Sequence, residues 1–421
     1  MSKITKHKIK KKKVLSLLCA ALAVLLVLGG CSGQSDWVVF RGKSGRGYTT
    51  ESLHPPLGLK WKIPLQKDVE PAYAFNNPVI KDDIMYFGST DGNFYAFDID
   101  TGYMKWIFKT GAAINSVPTA DENNVYFGSN DGFVYAVDRE TGKEKWSHNT
   151  GSQVQSTVVL WDDMVIATAD VQAVFFFSKD GSLEYKRDNP VWYRHTFQVK
   201  DGDLYFSPGP MQMPHSFGVL DIKNQGYKWI LDTNRLDATW YSFPAISGDT
   251  LFMSTCAAGQ GMWVYSYYGM DRQTGNIEWQ YHDFSEWGSW QPGNVYDLLN
   301  EKMKVLDFMA PAVASNRVVY TSGDTVVRSF TEKEGNIAWQ KQFPCPTSSP
   351  PVIAGDRVYF GLKGDASRGI PPKLVCLTLK TGRTLWSMNL DGAILSAPVI
   401  SGNRIFFGTS AHYLYVLEAV F

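Results

Sequence analysis

Hydrophobic and polar positions alternate along most of the chain in short runs broken by glycine and aspartate. Residues Val125–Trp146, "VYFGSNDGFVYAVDRETGKEKW", show the unit. Two apolar runs of strand length flank Ser-Asn-Asp-Gly. A turn at Thr141-Gly142 follows, and a polar strand ends in tryptophan. An isolated hairpin of this size is marginal in water, so other parts of the chain must complete it.

The unit recurs. "YFGSTDGNFYAFDIDTGYMKW" ends at Trp106 and matches almost residue for residue. Weaker copies end at Tyr185, Trp229, Trp279, Trp339 and Trp386. An eighth copy, "RIFFGTSAHYLYVLEAVF", stops before its turn and its tryptophan strand. "LKWKIPL" (59–65) has the form of a last strand with no preceding partner, and Trp61 would supply the missing ring residue. Four short strands per unit at a period of 39 to 60 residues predict propeller blades. The fold class expected is therefore all-β: an eight-bladed β-propeller of four-stranded antiparallel blades. Strand 59–65 completes the last blade and removes the open edge between first and last units. An open solenoid would leave Trp61 and the truncated eighth unit unexplained. Trp61, Trp106, Trp146, Tyr185, Trp229, Trp279, Trp339 and Trp386 are expected to pack between blades, each covering a turn glycine.

The start of the chain differs in kind. Basic "KHKIKKKK" precedes an apolar stretch from Val14 to Leu28, and Leu28-Gly29-Gly30-Cys31 follows. This is a secretory signal whose end resembles the lipobox of bacterial lipoproteins, with Cys31 as the lipidated residue. The alternative is an uncleaved anchor helix. The organisation expected is a signal peptide over 1–30, an anchor, linker and lead-in over 31–58, and the propeller over 59–421. The location expected is extracytoplasmic and lipid-anchored: the periplasmic face of the outer membrane in a cell with two membranes, otherwise the cell surface.

Charge narrows the function. Residues 1–30 hold seven of the 41 basic residues and no acid, which leaves 34 basic against 41 acidic and a net charge of −7. An acidic remainder without a basic stripe argues against nucleic acid as partner. Cys256, Cys345 and Cys376 lack metal or haem spacing and are expected to be buried, inert thiols.

Ala136, Asp138, Thr141, Gly142 and Trp146 form the pattern Ala-x-Asp-x-x-Thr-Gly-x-x-x-Trp, and Ala96, Asp98, Thr101, Gly102 and Trp106 repeat it. This pattern resembles the docking repeat of quinoprotein-type eight-bladed propellers. The lead-in "DWVVFRGKSGRGYTTE" (36–51) resembles the usual opening of such chains. The resemblance implies one of two roles. One is a dehydrogenase using pyrroloquinoline quinone and calcium. The other is a cofactor-free lipoprotein like the BamB-type scaffolds of outer-membrane β-barrel assembly. A lipobox with no domain beyond the propeller favours the second.

Candidate chemistry would lie at the channel mouth, where the inner strand of each blade begins. Aligned by the repeat, the first residues are Asn76, Ser116, Ser156, His195, Ser242, Met309, Ser349 and Ser396. None is acidic, whereas calcium binding and alcohol deprotonation both call for carboxylates. Glu70, Asp237 and Asp307 lie nearby at irregular offsets. The reading is no enzyme, no cofactor, no metal and no catalytic residue. His195 is the one titratable member of the ring.

Insertions at 207–216, 254–269, 282–308 and 363–373 fall on the mouth face over blades 4–7. Met211, Met213, Trp263, Tyr265, Tyr267, Tyr268, Trp287 and Trp290 within them suit a protein-binding surface. They would equally suit a small core of their own, or sugar stacking. Asp297 is expected to cap a short helix. The partner expected is a protein, with an outer-membrane barrel insertase first and a glycan as the alternative.

Overall fold

The computed structural model describes residues 36–42, 44–65, 77–170, 173–188, 197–206, 216–232, 236, 240–259, 262–286 and 310–420. Eight sheets follow one another around the ring, each built on four antiparallel strands; in blades 1–7 these four run in sequence order from inner to outer, while the outer strand of blade 8 comes from the N-terminal part of the chain. Blade 1 comprises Val79–Lys81, Ile84–Gly88, Asn93–Asp98 and Met104–Lys109. Blade 2 repeats it with Thr119–Ala120, Asn124–Gly128, Phe133–Asp138 and Glu144–Asn149. The inner and second strands are apolar and buried on both sides because neighbouring blades cover both sheet faces. The outer strands alternate exposed and buried, and their polar side chains protect an edge.

Blade 8 is closed as the sequence predicts. Leu57–Pro64 pairs antiparallel with Tyr413–Ala419, so the closing strand begins two residues before the expected boundary. Between it and Asp36, the lead-in crosses the inner strands of the ring. Trp37 exchanges backbone hydrogen bonds with Ile80 at 2.8 and 2.9 Å. Val38 O accepts from Ala120 N at 3.1 Å, Arg46 O from Val313 N at 3.0 Å, and Gly47 O from Ile353 N at 2.8 Å. Tyr48–Thr49 adds a short parallel strand to Val352–Ala354 of blade 7. The lead-in is thus bonded to blades 1, 2, 6 and 7 before the chain enters blade 8.

In all eight blades the outer strand carries a β-bulge just before its ring residue, for example between the pairs Ala96–Trp106 and Phe97–Met104. A bulge re-aims the side chain that follows it, and here it presents the aromatic to the next blade. Trp106 Nε1 donates to Arg139 O at 3.0 Å, Trp146 to Lys179 O at 2.9 Å, and Trp229 to Arg272 O at 3.0 Å. Trp279 reaches Glu332 O at 2.9 Å and Trp339 reaches Leu379 O at 2.8 Å. Tyr185 does the same with its hydroxyl, donating to Ile222 O at 2.9 Å. Trp61 donates to Ile99 O at 3.0 Å and so carries the contact from blade 8 to blade 1. Trp386 packs partly buried in the core between blades 7 and 8. The glycine covered belongs to the following blade. A Cβ on Gly142 would lie 2.6 Å from the Trp106 ring, at φ +69 where an L side chain is already strained.

The insertion at 254–269 is not a loop. It is the middle of two ten-residue strands, Thr250–Gly259 and Met262–Asp271, with Ile277–Glu286 extended to match. The insertion at 363–373 forms a bridge between Asp365 and Ile370 around a single 3₁₀ turn, Ala366–Arg368.

Candidate functional site

The site begins with the residues that precede each inner strand. Of the residues expected around the channel mouth, Ser116 (0% exposed), Ser156 (0%), Ser242 (3%), Ser349 (0%) and Ser396 (7%) are buried. Ser116 Oγ donates to Gly128 O at 2.7 Å and accepts from Gly128 N at 2.8 Å. Ser156 makes the equivalent pair with Thr168 at 3.2 and 3.3 Å. Ser242 accepts from Ser254 N and Ser349 from Gly361 N, both at 2.8 Å. Each of these four hydroxyls bolts the entry of the inner strand to the end of the second strand, twelve residues on. That link explains the recurrence of serine without invoking a ligand. Ser396 keeps its hydroxyl buried without a partner. Asn76, His195 and Met309 lie outside the described residues.

Phe40 and Arg41 occupy the axis of the ring. Phe40 packs with Val117, Phe243 and Ala310, which precede the inner strands of blades 2, 5 and 6. Blades 2 and 6 face each other across an eight-membered ring, so this contact spans the channel. Phe40 meets Phe243 edge-on, with ring centroids 4.9 Å apart. Arg41 is completely buried and donates from Nη2 to Ala310 O at 3.3 Å and Pro311 O at 2.8 Å. Its Nε and Nη1 have no partner. Burial pushes the guanidinium pKa down to about 9. Gly47 gives it room, since a Cβ there would lie 2.1 Å from Nη2. The lead-in was recognised in the sequence as a family feature. Its placing of "FR" at the axis was not foreseen, because this pair has no counterpart in the repeats.

The expected aromatic partner surface is corrected in part. Tyr265, Tyr267 and Tyr268 are 2%, 0% and 3% exposed and belong to the core. Tyr265 and Tyr267 pack between blades 5 and 6, and Tyr268 packs between blades 4 and 5. Both faces of blade 5 are covered, so strand alternation sends neither set of side chains to solvent. Met211, Met213, Trp287 and Trp290 lie outside the described residues, as do Asp297 and its expected helix. Trp263 is in the extended strand Met262–Asp271, opposite Ala258. On the same blade Phe284 is 62% exposed.

Between blades 5 and 6, Arg328 reaches Asp283 and lies over the Tyr267 ring, 5.8 Å from its centroid. Tyr267 Oη accepts from Arg328 Nη1 at 3.3 Å, while burial holds the phenol near pKa 12. Ser266 Oγ lies 2.8 Å from His282 Nδ1 as a cross-strand pair, a contact set by the register of the extended hairpin. None of Cys256, Cys345 and Cys376 forms a disulfide, and all three are buried. Burial raises the Cys376 thiol to about 12, so it is a poor nucleophile. Asp98, Asp138 and Asp271 direct their carboxylates into their own turns, accepting from Thr101, Thr141 and Thr274. No group of three or more candidate metal ligands occurs among the described residues.

The sequence profile of the outer membrane protein assembly factor BamB matches residues 58–207 and 365–420. The chain is a PQQ-like propeller that resembles BamB. BamB from Moraxella catarrhalis superposes with a TM-score of 0.60 at 16% identity, covering 86% of this chain and 98% of that one. The quinohemoprotein alcohol dehydrogenase of Comamonas testosteroni gives 0.63 at 13% identity over 91% and 80%. The computationally designed Ika8 protein gives 0.63 at 15% over 86% and 100%. The chain thus shares the fold of a BamB, of a dehydrogenase and of a designed propeller alike. No curated protein matches the chain in sequence.

Proposed function

We propose that this BamB-like propeller is a lipid-anchored, non-catalytic scaffold that binds other proteins outside the cytoplasm, in the assembly of outer-membrane β-barrels. The observation that carries this reading is the filled axis. Phe40 and Arg41 take up the space where the ring converges, and four mouth serines commit their hydroxyls to the backbone of their own blades. The profile match and the Moraxella catarrhalis BamB structure support the assembly role. The proposed partner surface is centred on the exposed Phe284 of blade 5.

The test is co-purification. Living cells are crosslinked, membranes are solubilised in detergent, and the protein is recovered by a C-terminal tag. Recovery of an outer-membrane barrel with periplasmic docking domains, reduced by Phe284→Asp and Trp287→Ala, supports the role. Recovery of cell-wall material alone would instead favour a surface lipoprotein that binds glycan, and a cell without an outer membrane would exclude the assembly role altogether.

A further inference from the structure

The lead-in does not fill the ring evenly. Its hydrogen bonds to blades 1, 2, 6 and 7 run from 2.8 to 3.1 Å through backbone groups. Toward blades 4 and 5 it is held by two longer side-chain contacts, Gln198 Nε2 to Ser44 O and Arg46 Nη1 to Ser247 Oγ, both at 3.4 Å. A cavity of about 220 Å³ lies on this side, between residues 38–45 and the inner strands of blades 2–5. Phe40, Leu160, Phe197 and Phe243 supply apolar wall.

Two polar groups on the same wall are unmet. Gln198 is 6% exposed, and its Oε1 has no partner. The contact of Nε2 with the Ser44 carbonyl fixes which end of the amide is the donor, so Oε1 is left as an acceptor. Ser44 Oγ is likewise buried without a partner. Gly45 makes this arrangement possible, because a Cβ there would fall 1.8 Å from Gln198 Nε2. A buried acceptor without a donor costs about 1–3 kcal/mol.

We propose that this cavity binds a small ring compound carrying one hydrogen-bond donor, of the phenol or indole class. The ring packs against Phe40, Phe197 and Phe243, and its O–H or N–H is donated to Gln198 Oε1. A cavity of roughly 150 Å³ already holds benzene, so one or two fused rings fit the volume. The bound molecule would join the lead-in to blades 3–5, where its direct contacts are longest. This inference is independent of the scaffold reading, since the site can be filled whether or not a protein partner is bound.

The experiment is calorimetric titration of the full-length protein with phenol and with indole, using benzene as the control without a donor. Wild type should bind phenol and indole one to one, with benzene roughly ten-fold weaker, the worth of one hydrogen bond. Gln198→Leu should bring phenol down to the benzene level. Ser44→Phe, which fills the cavity from the lead-in and leaves every blade residue unchanged, should abolish all three. Absence of saturable phenol and indole binding in wild type overturns the proposal. So does binding that both variants leave unchanged, which would place it elsewhere.

Discussion

Blades 1 and 2 meet through contacts that recur around the ring, whereas blades 5 and 6 add contacts that depend on the extended strands of blade 5. At the first junction Trp106 caps the Gly142 turn, Tyr86 Oη donates to Arg139 O at 3.2 Å, and Arg139 pairs with Asp82 at 2.8 Å. At the second, Trp279 caps the Gly335 turn in the same way. The extended strands then add the buried Arg328–Asp283 pair over Tyr267, and Tyr320 Oη donates to Met253 O at 3.3 Å. The repeated contact holds the ring closed. The singular one fixes a taller blade whose far end carries the exposed Phe284.

The largest effect should come from removing the repeated contact. Trp106→Ala is expected to cost about 3–5 kcal/mol in chemical denaturation, and Trp146→Ala less, because Trp146 is only half-buried. Equal losses would mean that indole burial does not set the strength of the junction. Next comes the singular contact. Asp283→Ala leaves Arg328 buried and unpaired and should cost about 3 kcal/mol. Arg328→Met in the same chain should restore more than half of that loss. No recovery in the double variant would show that the pair does not act as a unit.

Gly142→Ala should cost about 1–3 kcal/mol, since it combines a left-handed backbone with a ring 2.6 Å away. The smallest effect is electrostatic. Lys145 and Thr141 hold the Asp138 carboxyl down to about 2, below the usual value of about 3.9. Its contribution is present above pH ~4 and lost as pH falls toward 2. Because its partner Lys145 is exposed, solvent screening keeps it below about 0.5 kcal/mol. Asp138→Asn should flatten the acid limb of the stability curve in that window only.

What the sequence revealed follows the same division. The blade count, the closing strand and the ring aromatics were legible because one physical task recurs in every blade, so Trp, Gly and Asp return at a fixed phase. The mouth serines were legible as a repeat, but their direction was not. Spacing gives the position of a hydroxyl along a strand, not which backbone amide it reaches. Tyr265, Tyr267 and Tyr268 were read as surface because alternation normally exposes one face, and here neighbouring blades cover both. Phe40 and Arg41 were hidden for another reason. Their partners at Val117, Phe243 and Ala310 are up to 270 positions away, and no local pattern marks a residue that packs at an axis.

The proposed scaffold role rests on Phe40 and Arg41 packing at the axis, and it requires that no quinone binds there. The direct measurement is titration of the full-length protein with pyrroloquinoline quinone and Ca²⁺, followed by thermal midpoint and tryptophan fluorescence, with dye-linked alcohol oxidation assayed on the mixture. The account predicts no saturable shift and no dye reduction. Stoichiometric, calcium-dependent quinone binding with alcohol-dependent dye reduction would contradict it.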